Sequence, residues 1–592
     1  MPDGPDHAVP PDGPDHAAPG GLDRVVPGGR DRVVPGDPDR ATQGGPDRAG
    51  PGSSDATAPD GADRPRADGP DHATPTTPPT TSAKGRSGHR RDPLRGRRRA
   101  IVGLVLGVLV LSLAVGLGLA GSTGGPDSTP GPAAVAPSTA LPFDLPDTRT
   151  LRAGPHLVFA HYFPPYPLSL DNQPADRDYY TRNYLTPNGE GGKHAAYGGL
   201  LRDRPPPVPP SSGDWRLTNM EREVRTARDA GLDGFSVDIL ALTGTNADRV
   251  GTLLRAAHAA DPGFKIMLMP DMTALHSSAQ ALADALARWA AAPSAHRLPD
   301  GRLVVSPFKA EAHSPAWWTQ VTDRLAKQHG IRTALVPLFL NYRSHAQEFA
   351  SISYGFSAWG NRSHTGQNAI PGDVRLAHGL DKKWMQPVAV QDARPNQAIY
   401  DEAGNTALLR TTWQHAIQDG ADWVQLTTWN DYSETSQVAP SLHNGHAYLD
   451  LCSYYLTRFK TGKWPALVRD VVYLTSRVQF AGNPSATHQS RLMRPRHGTA
   501  TPRDDVEVLT FLTAPATVDV TVGTAHGQVA VPAGVRATLR PLRTGLSSAT
   551  VRRAGHTVAT AATRWPVRDH VDVQDLQYYA VTSGRPGESG KP

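Results

Sequence analysis

The sequence predicts a (β/α)8 barrel, the TIM-barrel class of α/β folds, followed by an antiparallel β-sandwich. Three observations support this prediction. The chain has 592 residues, which is more than one hydrophobic core usually holds. Apolar strand-like runs alternate with amphipathic helix-like segments over residues 151–469. Helical periodicity then stops, and residues 470–592 show short alternating runs between turn residues, with a disordered C-terminal end.

Eight strand candidates make up the barrel region. They are residues 156–163, 234–240, 264–272, 302–308, 333–342, 354–360, 384–391 and 422–430. A doubly wound open sheet shows a similar alternation. The barrel is favoured because eight is the number of units at which it closes, and because no glycine-rich phosphate loop follows the first run. The loop after that run, Pro164 to Arg216, is enlarged.

Helix signals separate several of these runs. Thr218 and Glu221 have the spacing of a capping box, and Gly231 ends that helix. A later segment, residues 315–329, carries Pro at its start and is followed by Gly330. The alternating runs of the sandwich are residues 506–512, 516–522, 527–534, 536–542 and 549–561.

The N-terminal part of the chain is predicted to be unfolded up to an apolar segment. Residues 1–99 are rich in Pro, Gly, Asp and Ala, with too few apolar groups to offset the entropy of ordering. Residues 100–121 contain only one polar side chain, Ser112, and are long enough to cross a bilayer. Residues 122–150 form a Pro/Ser/Thr-rich linker.

Charge predicts how this segment is oriented. Residues 84–99 hold eight Lys and Arg, and no basic residue follows the apolar run until Arg149. We therefore expect a cell-membrane protein with a cytoplasmic N-terminal tail, one transmembrane helix and an extracellular folded part.

Bulk composition excludes several functions. The basic run 84–99 also contains one Asp, so the rest of the chain carries about −2 of the total formal charge of +5, which gives no reason to expect a nucleic-acid partner. Cys452 is the only cysteine, which excludes an intramolecular disulfide and a cysteine-based zinc site. No metal site and no cofactor are predicted.

Residues at the C-terminal ends of barrel strands face the mouth where such folds place their sites. The candidates for substrate binding at these ends are His161, Asp238, Asp271, Asn341, Trp359, Trp429, Asn430 and Tyr432. Carboxylates, amides and aromatic rings together suit a neutral, polyhydroxylated ligand. Each polar residue could instead fix a loop, and the aromatic residues could be core packing.

Two acids follow the eighth strand at close spacing. Asp431 and Glu434 are three residues apart, so their carboxyls can divide the roles of proton donor and base at one glycosidic bond. The alternative from spacing alone is that one acid caps the turn and the other is solvated.

Four motifs resemble glycoside hydrolase family 71, the α-1,3-glucanases or mutanases. They are LVFAHYF (157–163), AGLDGFSVDI (230–239), MLMPDM (267–272) and TTWNDYSETSQVAP (427–440). The family typically reads Trp-Asn-Asp-aromatic-Gly-Glu-Ser in the last motif; this chain has Ser433 in place of the Gly and Thr435 in place of the Ser. The resemblance covers about residues 155–470 and the β-rich region that follows.

The resemblance implies a barrel that hydrolyses an α-linked glucan without a cofactor. It assigns Asp431 and Glu434 as the catalytic pair, with Glu434 as general acid and Asp431 as the base or its assistant. Two alternatives stay open: a hydrolase of α-mannan or another α-glycan closer to family 99, whose motif is Trp-Asn-Glu-x-x-Glu, and a carbohydrate-binding surface protein without turnover.

Overall fold

The computed structural model describes residues 141–482 and 486–585. The predicted tail, the apolar segment 100–121 and most of the linker therefore lie outside the described residues, as do residues 586–592. Within the described ranges, no helix combines the length and the apolar character that crossing a membrane requires.

Most strands of the first region form a closed parallel barrel, and two short ones belong to a separate small sheet. In chain order the strands up to its closure are β1 Leu157–Tyr162, β2 Gly234–Ile239, β3 Lys265–Pro270, β4 Leu303–Val305, β5 Thr333–Leu335, β6 Leu338–Phe339, β7 Gly355–Ala358, β8 Lys383–Ala389, β9 Asp392–Arg394, β10 Ile399–Asp401 and β11 Trp423–Thr427. The large sheet has the order β5-β4-β3-β2-β1-β11-β8-β7-β6.

The two ends of this sheet are pieces of one barrel strand. β5 pairs with β4 and β6 pairs with β7, both in parallel, and Phe308 bridges to Leu338. The sheet thus closes on itself with eight strand positions, as a (β/α)8-like barrel. All eight predicted strands are confirmed, with ends that differ by a few residues.

The helices connect the strands around the outside of the barrel. They are α1 Thr148–Leu151, α2 Gly189–Gly192, α3 Trp215–Asp229, α4 Gly244–Ala260, α5 Ala279–Ala290, α6 Pro315–His329, α7 Tyr342–Phe349, α8 Ile370–Gly379, α9 Ala407–Gln418 and α10 Ala447–Thr461. A π-helical turn spans Tyr180–Tyr184 in the enlarged first loop, and 3₁₀ turns span Ala195–Tyr197, Ala310–Ala312, Ala350–Ile352 and Pro395–Gln397.

The ends of two helices, α6 and α3, can be compared with the capping signals predicted from the sequence. Helix α6 begins at Pro315 after the N-cap Ser314 and ends at Gly330, whose φ of 65° is left-handed, as predicted. The predicted capping box of α3 is wrong. Asp214 is the N-cap and accepts a hydrogen bond from the Leu217 amide at 3.2 Å, so Thr218 lies inside the helix, where its hydroxyl donates to the Asp214 carbonyl.

The predicted antiparallel region is confirmed as two four-stranded sheets. The strands of this region are β12 Val471–Ser476, β13 Arg494–Pro495, β14 Asp505–Leu512, β15 Ala516–Val522, β16 Ala525–Val531, β17 Gly534–Pro541, β18 Ser547–Arg553, β19 His556–Ala562 and β20 Tyr579–Thr582. All of them except β13 belong to these two sheets. One sheet has the order β17-β14-β12-β20 and the other β16-β15-β18-β19, and buried side chains of both sheets form one hydrophobic core. Strands β12 and β20 are not among the predicted runs.

Buried polar contacts join the barrel to these sheets. Glu402, which follows β10, accepts a hydrogen bond from Arg477 at 2.7 Å and from the Tyr578 hydroxyl at 2.6 Å. The side chains of Glu402 and Arg477 are almost fully buried. The small sheet β13-β10-β9 adds a second connection, because β13 lies in the second region and pairs with β10. The second region is therefore held firmly against the mouth side of the barrel.

Removal of Glu402 should destabilise the whole described body. Glu402→Ala leaves the Arg477 guanidinium buried without its carboxylate, which costs roughly 3–5 kcal/mol of unfolding free energy. Urea denaturation of the full chain measures the change, with Glu348→Ala, an exposed carboxylate on α7, as the control that should change it by less than about 0.5 kcal/mol. Equal stability of the two variants would contradict the role of this contact.

Candidate active site

Three predicted site residues meet inside the mouth of the barrel. His161 lies on β1, Asp238 on β2, and Asp271 directly after β3. The His161 Nε2 atom is 3.7 Å from Asp238 Oδ2, and all three residues are at most 7% exposed. Strands β1, β2 and β3 are neighbours in the sheet, so parallel pairing alone brings their C-terminal ends together.

Burial sets the charge state of this group. It raises the pKa of Asp238 well above its ordinary value, and the nearby charge of Asp431 raises it further. It raises the pKa of Asp271 to about 6 and lowers the pKa of His161 to about 4. At neutral pH His161 is therefore uncharged, and burial favours the protonated form of Asp238. Among the described residues Asp238 Oδ1 has no hydrogen-bond partner, so the group can bond ligand hydroxyls.

Asp431 lies in a tight turn after β11, and hydrogen bonds within this turn hold its side chain. Its Oδ1 atom accepts hydrogen bonds from the Ser433 amide at 2.9 Å, the Ser433 hydroxyl at 2.6 Å and the Glu434 amide at 3.3 Å. Asp431 therefore caps the turn through one of its oxygens, which is the alternative role that the spacing of the two acids also allowed. No hydrogen bond of the described residues ends on the other oxygen, which remains available for chemistry.

Glu434 is held by an arginine that binds two acids at once. The Arg394 Nη1 atom lies 2.6 Å from Glu434 Oε1, while Arg394 also binds both carboxylate oxygens of Asp392, at 2.7 and 2.5 Å. The Ala393 amide donates to the Glu434 carbonyl at 2.8 Å, which ties the turn to β9. Glu434 Oε2 is buried without a partner within residues 141–482 and 486–585.

The two acids have unequal surroundings. Burial raises the pKa of both carboxyls. For Glu434, Arg394 opposes this effect while the negative charges of Asp431 and Asp392 add to it. For Asp431, the hydrogen bonds from Ser433 and the charge of Arg394 favour the ionised form. This is the arrangement in which one acid keeps its proton and the other loses it.

An aromatic and cationic wall lies beside this pair. Trp359, half-buried after β7, packs its ring 5.1 Å from His161 and 5.0 Å from Phe308, centroid to centroid. The Arg362 guanidinium lies 4.8 Å from the Trp359 ring and donates to the Thr427 hydroxyl at 2.5 Å. Burial lowers the pKa of Arg362 to about 10, so it remains a cation.

Three of the predicted binding residues lie beneath the site and support the turn that carries the two acids. The Asn430 side chain accepts from the Phe163 amide at 2.7 Å and donates to the carbonyls of Phe163 and Tyr166 at 3.0 and 2.9 Å. Trp429 is buried against Phe235, at 5.0 Å between centroids. Tyr432 is equally buried, in an aromatic cluster of the first loop. These residues hold the turn and do not line the mouth.

Asn341 lies apart from the others. It is exposed at the N-cap of α7, where its side chain accepts a hydrogen bond from the Ser344 hydroxyl at 3.0 Å. Its backbone amide donates to Glu311. These contacts give it a role in the local loop structure.

The sequence prediction did not include Arg394, Arg362 and Tyr166 as site residues. The two arginines follow the seventh and sixth barrel strand positions by a few residues, so their position after a strand end was the available signal. Tyr166, on the first loop, is buried, and its backbone carbonyl accepts a hydrogen bond from the Asn430 side chain at 2.9 Å.

A (β/α)8-like barrel with paired carboxyls at the C-terminal ends of its strands is an architecture of glycoside hydrolases. The chain belongs to glycosyl hydrolase family 71, whose model matches residues 211–588. It is 25% identical over 379 residues to a glucan endo-1,3-alpha-glucosidase of Schizosaccharomyces pombe, which covers 58% of this chain and 86% of the relative. It is 24% identical over 411 residues to a mutanase of Penicillium rubens, covering 64% and 87%.

Among solved structures, the family 99 endo-alpha-mannosidase of Bacteroides thetaiotaomicron is similar at 14% identity and a TM-score of 0.42. That alignment covers 52% of this chain and 98% of the mannosidase. Strand β1 and most of the first loop precede the range that the family model matches.

Arg394 should set the pH range of hydrolysis. Its positive charge lowers the pKa of both Asp431 and Glu434, so Arg394→Gln should move both limbs of the pH profile of kcat/KM upward, by about one unit. Arg394→Lys keeps the charge and should leave the limbs near their original positions. Limbs that stay in place in the Gln variant would contradict the assignment.

Proposed function

We propose that this protein hydrolyses α-1,3-glucosidic bonds of a glucan. The observation that carries the proposal is the acid pair Asp431 and Glu434, set at the mouth of the barrel in unequal electrostatic surroundings. Membership of family 71 supports the reaction class, and the printed activities of the yeast and mould relatives support the substrate.

In this mechanism Glu434 is the general acid and Asp431 the base or its assistant. Protonated Glu434 gives its proton to the glycosidic oxygen as the bond from that oxygen to the anomeric carbon breaks. Ionised Asp431 acts at the anomeric carbon, by activating the water that attacks there. As the water oxygen bonds to the anomeric carbon, the water gives one proton to Asp431. Before the next turnover Asp431 releases this proton to solvent and Glu434 takes one up. Arg394 stabilises the Glu434 carboxylate that remains after proton donation.

The other mouth residues suit a neutral sugar. His161 is uncharged at neutral pH, burial favours the protonated form of Asp238, and both side chains offer hydrogen bonds to hydroxyls. The half-buried ring of Trp359 offers an apolar surface against which a sugar ring packs. We assign these three residues to substrate binding, with Asp271 supporting them.

Release of reducing ends from insoluble α-1,3-glucan by the full chain tests the proposal. Glu434→Gln and Asp431→Asn should each lower turnover by about 10³-fold or more, because each removes one of the two carboxyls that the reaction needs. Glu348→Gln and Asp323→Asn remove exposed carboxylates of the barrel exterior and should retain activity.

The same assay separates the alternatives. Release from α-mannan but not from α-1,3-glucan would assign the site to another α-glycan. Glycan binding without new reducing ends would assign the protein to the carbohydrate-binding class. Activity that survives both acid substitutions would exclude this acid pair as the catalysts.

We further propose that the folded part is extracellular and anchored through residues 100–121. The support is the sequence alone: a 22-residue apolar run preceded by a basic cluster. Protease added to intact cells should remove the folded part and leave the tail. A folded part that stays protected until the cells are opened would contradict the orientation.

A further inference from the structure

A second cleft lies at the junction of the barrel and the antiparallel sheets. Its volume is about 410 Å³, and its walls come from the first loop (Leu185, Arg202), from the segment after β19 (Trp565, Asp575) and from the start of β20 (Tyr579). The volume falls in the range of pockets that hold small molecules or a short oligosaccharide. None of these five residues contributes to the acid pair or to its neighbours at the mouth.

Aromatic rings form one wall of this junction cleft. His443 stacks on Tyr579 with 4.1 Å between ring centroids and an interplanar angle of 15°. Trp565 meets both rings edge to face, at 5.0 Å from His443 and 5.1 Å from Tyr579. Trp565 and Tyr579 are half-buried and line the cleft. Rings held in this way present fixed apolar surface of the kind that packs on sugar rings.

Buried polar contacts hold the cleft open in one shape. Arg202 is almost fully buried and donates to four backbone carbonyls, among them those of Gln574 at 2.7 Å and Gly199 at 3.0 Å. It thereby fastens the first loop to the C-terminal segment. Asp575 accepts a hydrogen bond from the Tyr579 hydroxyl at 2.8 Å. The walls are therefore preformed, which lowers the entropic cost of binding.

The charges of the lining favour a neutral ligand. Two arginines, Arg202 and Arg568, are matched by two acids, Asp572 and Asp575. Arg568 and Asp572 are exposed at the rim. Asp572 Oδ1 accepts a hydrogen bond from the Thr487 hydroxyl at 3.1 Å, so its second oxygen and the Arg568 guanidinium are the groups that can bond ligand hydroxyls. Aromatic rings flanked by balanced polar groups fit a carbohydrate better than an anion or a purely apolar molecule.

An apolar cluster connects this cleft to the turn that carries the acids. Leu185 and Leu201 line the cleft and also pack in the cluster that contains Tyr166 and Tyr432. The Tyr166 carbonyl in turn accepts a hydrogen bond from Asn430, which directly precedes Asp431. The wall of the cleft is thus continuous with the packing that supports the catalytic turn.

We propose that the junction cleft is a second carbohydrate site, which binds a segment of the α-glucan polymer away from the bond that is cleaved. The choice of glycan rests on the proposed function. An insoluble polymer held at two places is presented to the mouth at a high effective concentration, so the second site aids attack on polymer and not on short chains.

Adsorption without turnover gives the direct test. The full-length Glu434→Gln protein is mixed with insoluble α-1,3-glucan, and the bound fraction is compared with and without Trp565→Ala. The added substitution should weaken adsorption about tenfold. Arg568→Ala, at an exposed rim position, should also weaken it. Trp464→Ala, which removes a half-exposed tryptophan remote from the cleft lining, should have no effect.

Kinetics of the otherwise unaltered enzyme give the second measurement. Trp565→Ala should raise the apparent KM on insoluble glucan about tenfold while kcat/KM on a soluble short α-1,3-gluco-oligosaccharide stays within about twofold. The thermal unfolding midpoint of each variant confirms that it is folded.

Three results would overturn the proposal: adsorption that is unchanged in both cleft variants, no adsorption of the Glu434→Gln parent, or equal losses on polymer and oligosaccharide. Failure of the proposed function is distinguishable. If the unaltered protein releases no reducing ends from either substrate, the catalytic assignment fails, while the adsorption result still decides the cleft.

Discussion

The pairing of the first barrel strand with the last is the constraint on which the site depends. Strands β1 and β11 pair in parallel, with Leu157 opposite Trp423. The segments that follow these two strands, more than 260 positions apart in sequence, therefore lie side by side. The Trp429 amide donates to the His161 carbonyl at 2.7 Å, and Asn430 binds the chain that follows β1. This closure places the binding group of β1–β3 beside the acids that follow β11.

Electrostatics at the mouth follow from how deeply these groups are buried. Burial favours the protonated form of the acids there, and the positive charge of Arg394 opposes this effect for Asp431 and Glu434. The pKa of Asp238 is therefore raised well above its ordinary value, whereas the turn and Arg394 favour the carboxylate form of Asp431. Arg394, which is tightly bound beside Glu434, also stabilises the negative charge that Glu434 carries after it has given up its proton. The charged groups around the two acids are thus held in place by hydrogen bonds and ion pairs.

The barrel strands and the acid pair could be predicted from the sequence because both have local signals: runs of apolar residues, and two acids three positions apart. Strand β12 is missed because it is buried on both faces and lacks alternation. Arg394 is missed because its direction depends on β9 pairing with β10, which pairs in turn with the distant β13. Trp429 lies in the core rather than the mouth because the chain turns away from the strand direction after Thr427, a change that spacing does not reveal.

The most direct measurement is an experimental structure of the Glu434→Gln protein with a bound α-1,3-gluco-oligosaccharide. We expect a glycosidic oxygen within about 3 Å of the side-chain amide that this substitution introduces, and the adjoining anomeric carbon on the side of Asp431. An oligosaccharide that occupies the mouth with every glycosidic oxygen out of reach of that amide, or with Asp431 facing no anomeric carbon, would contradict it.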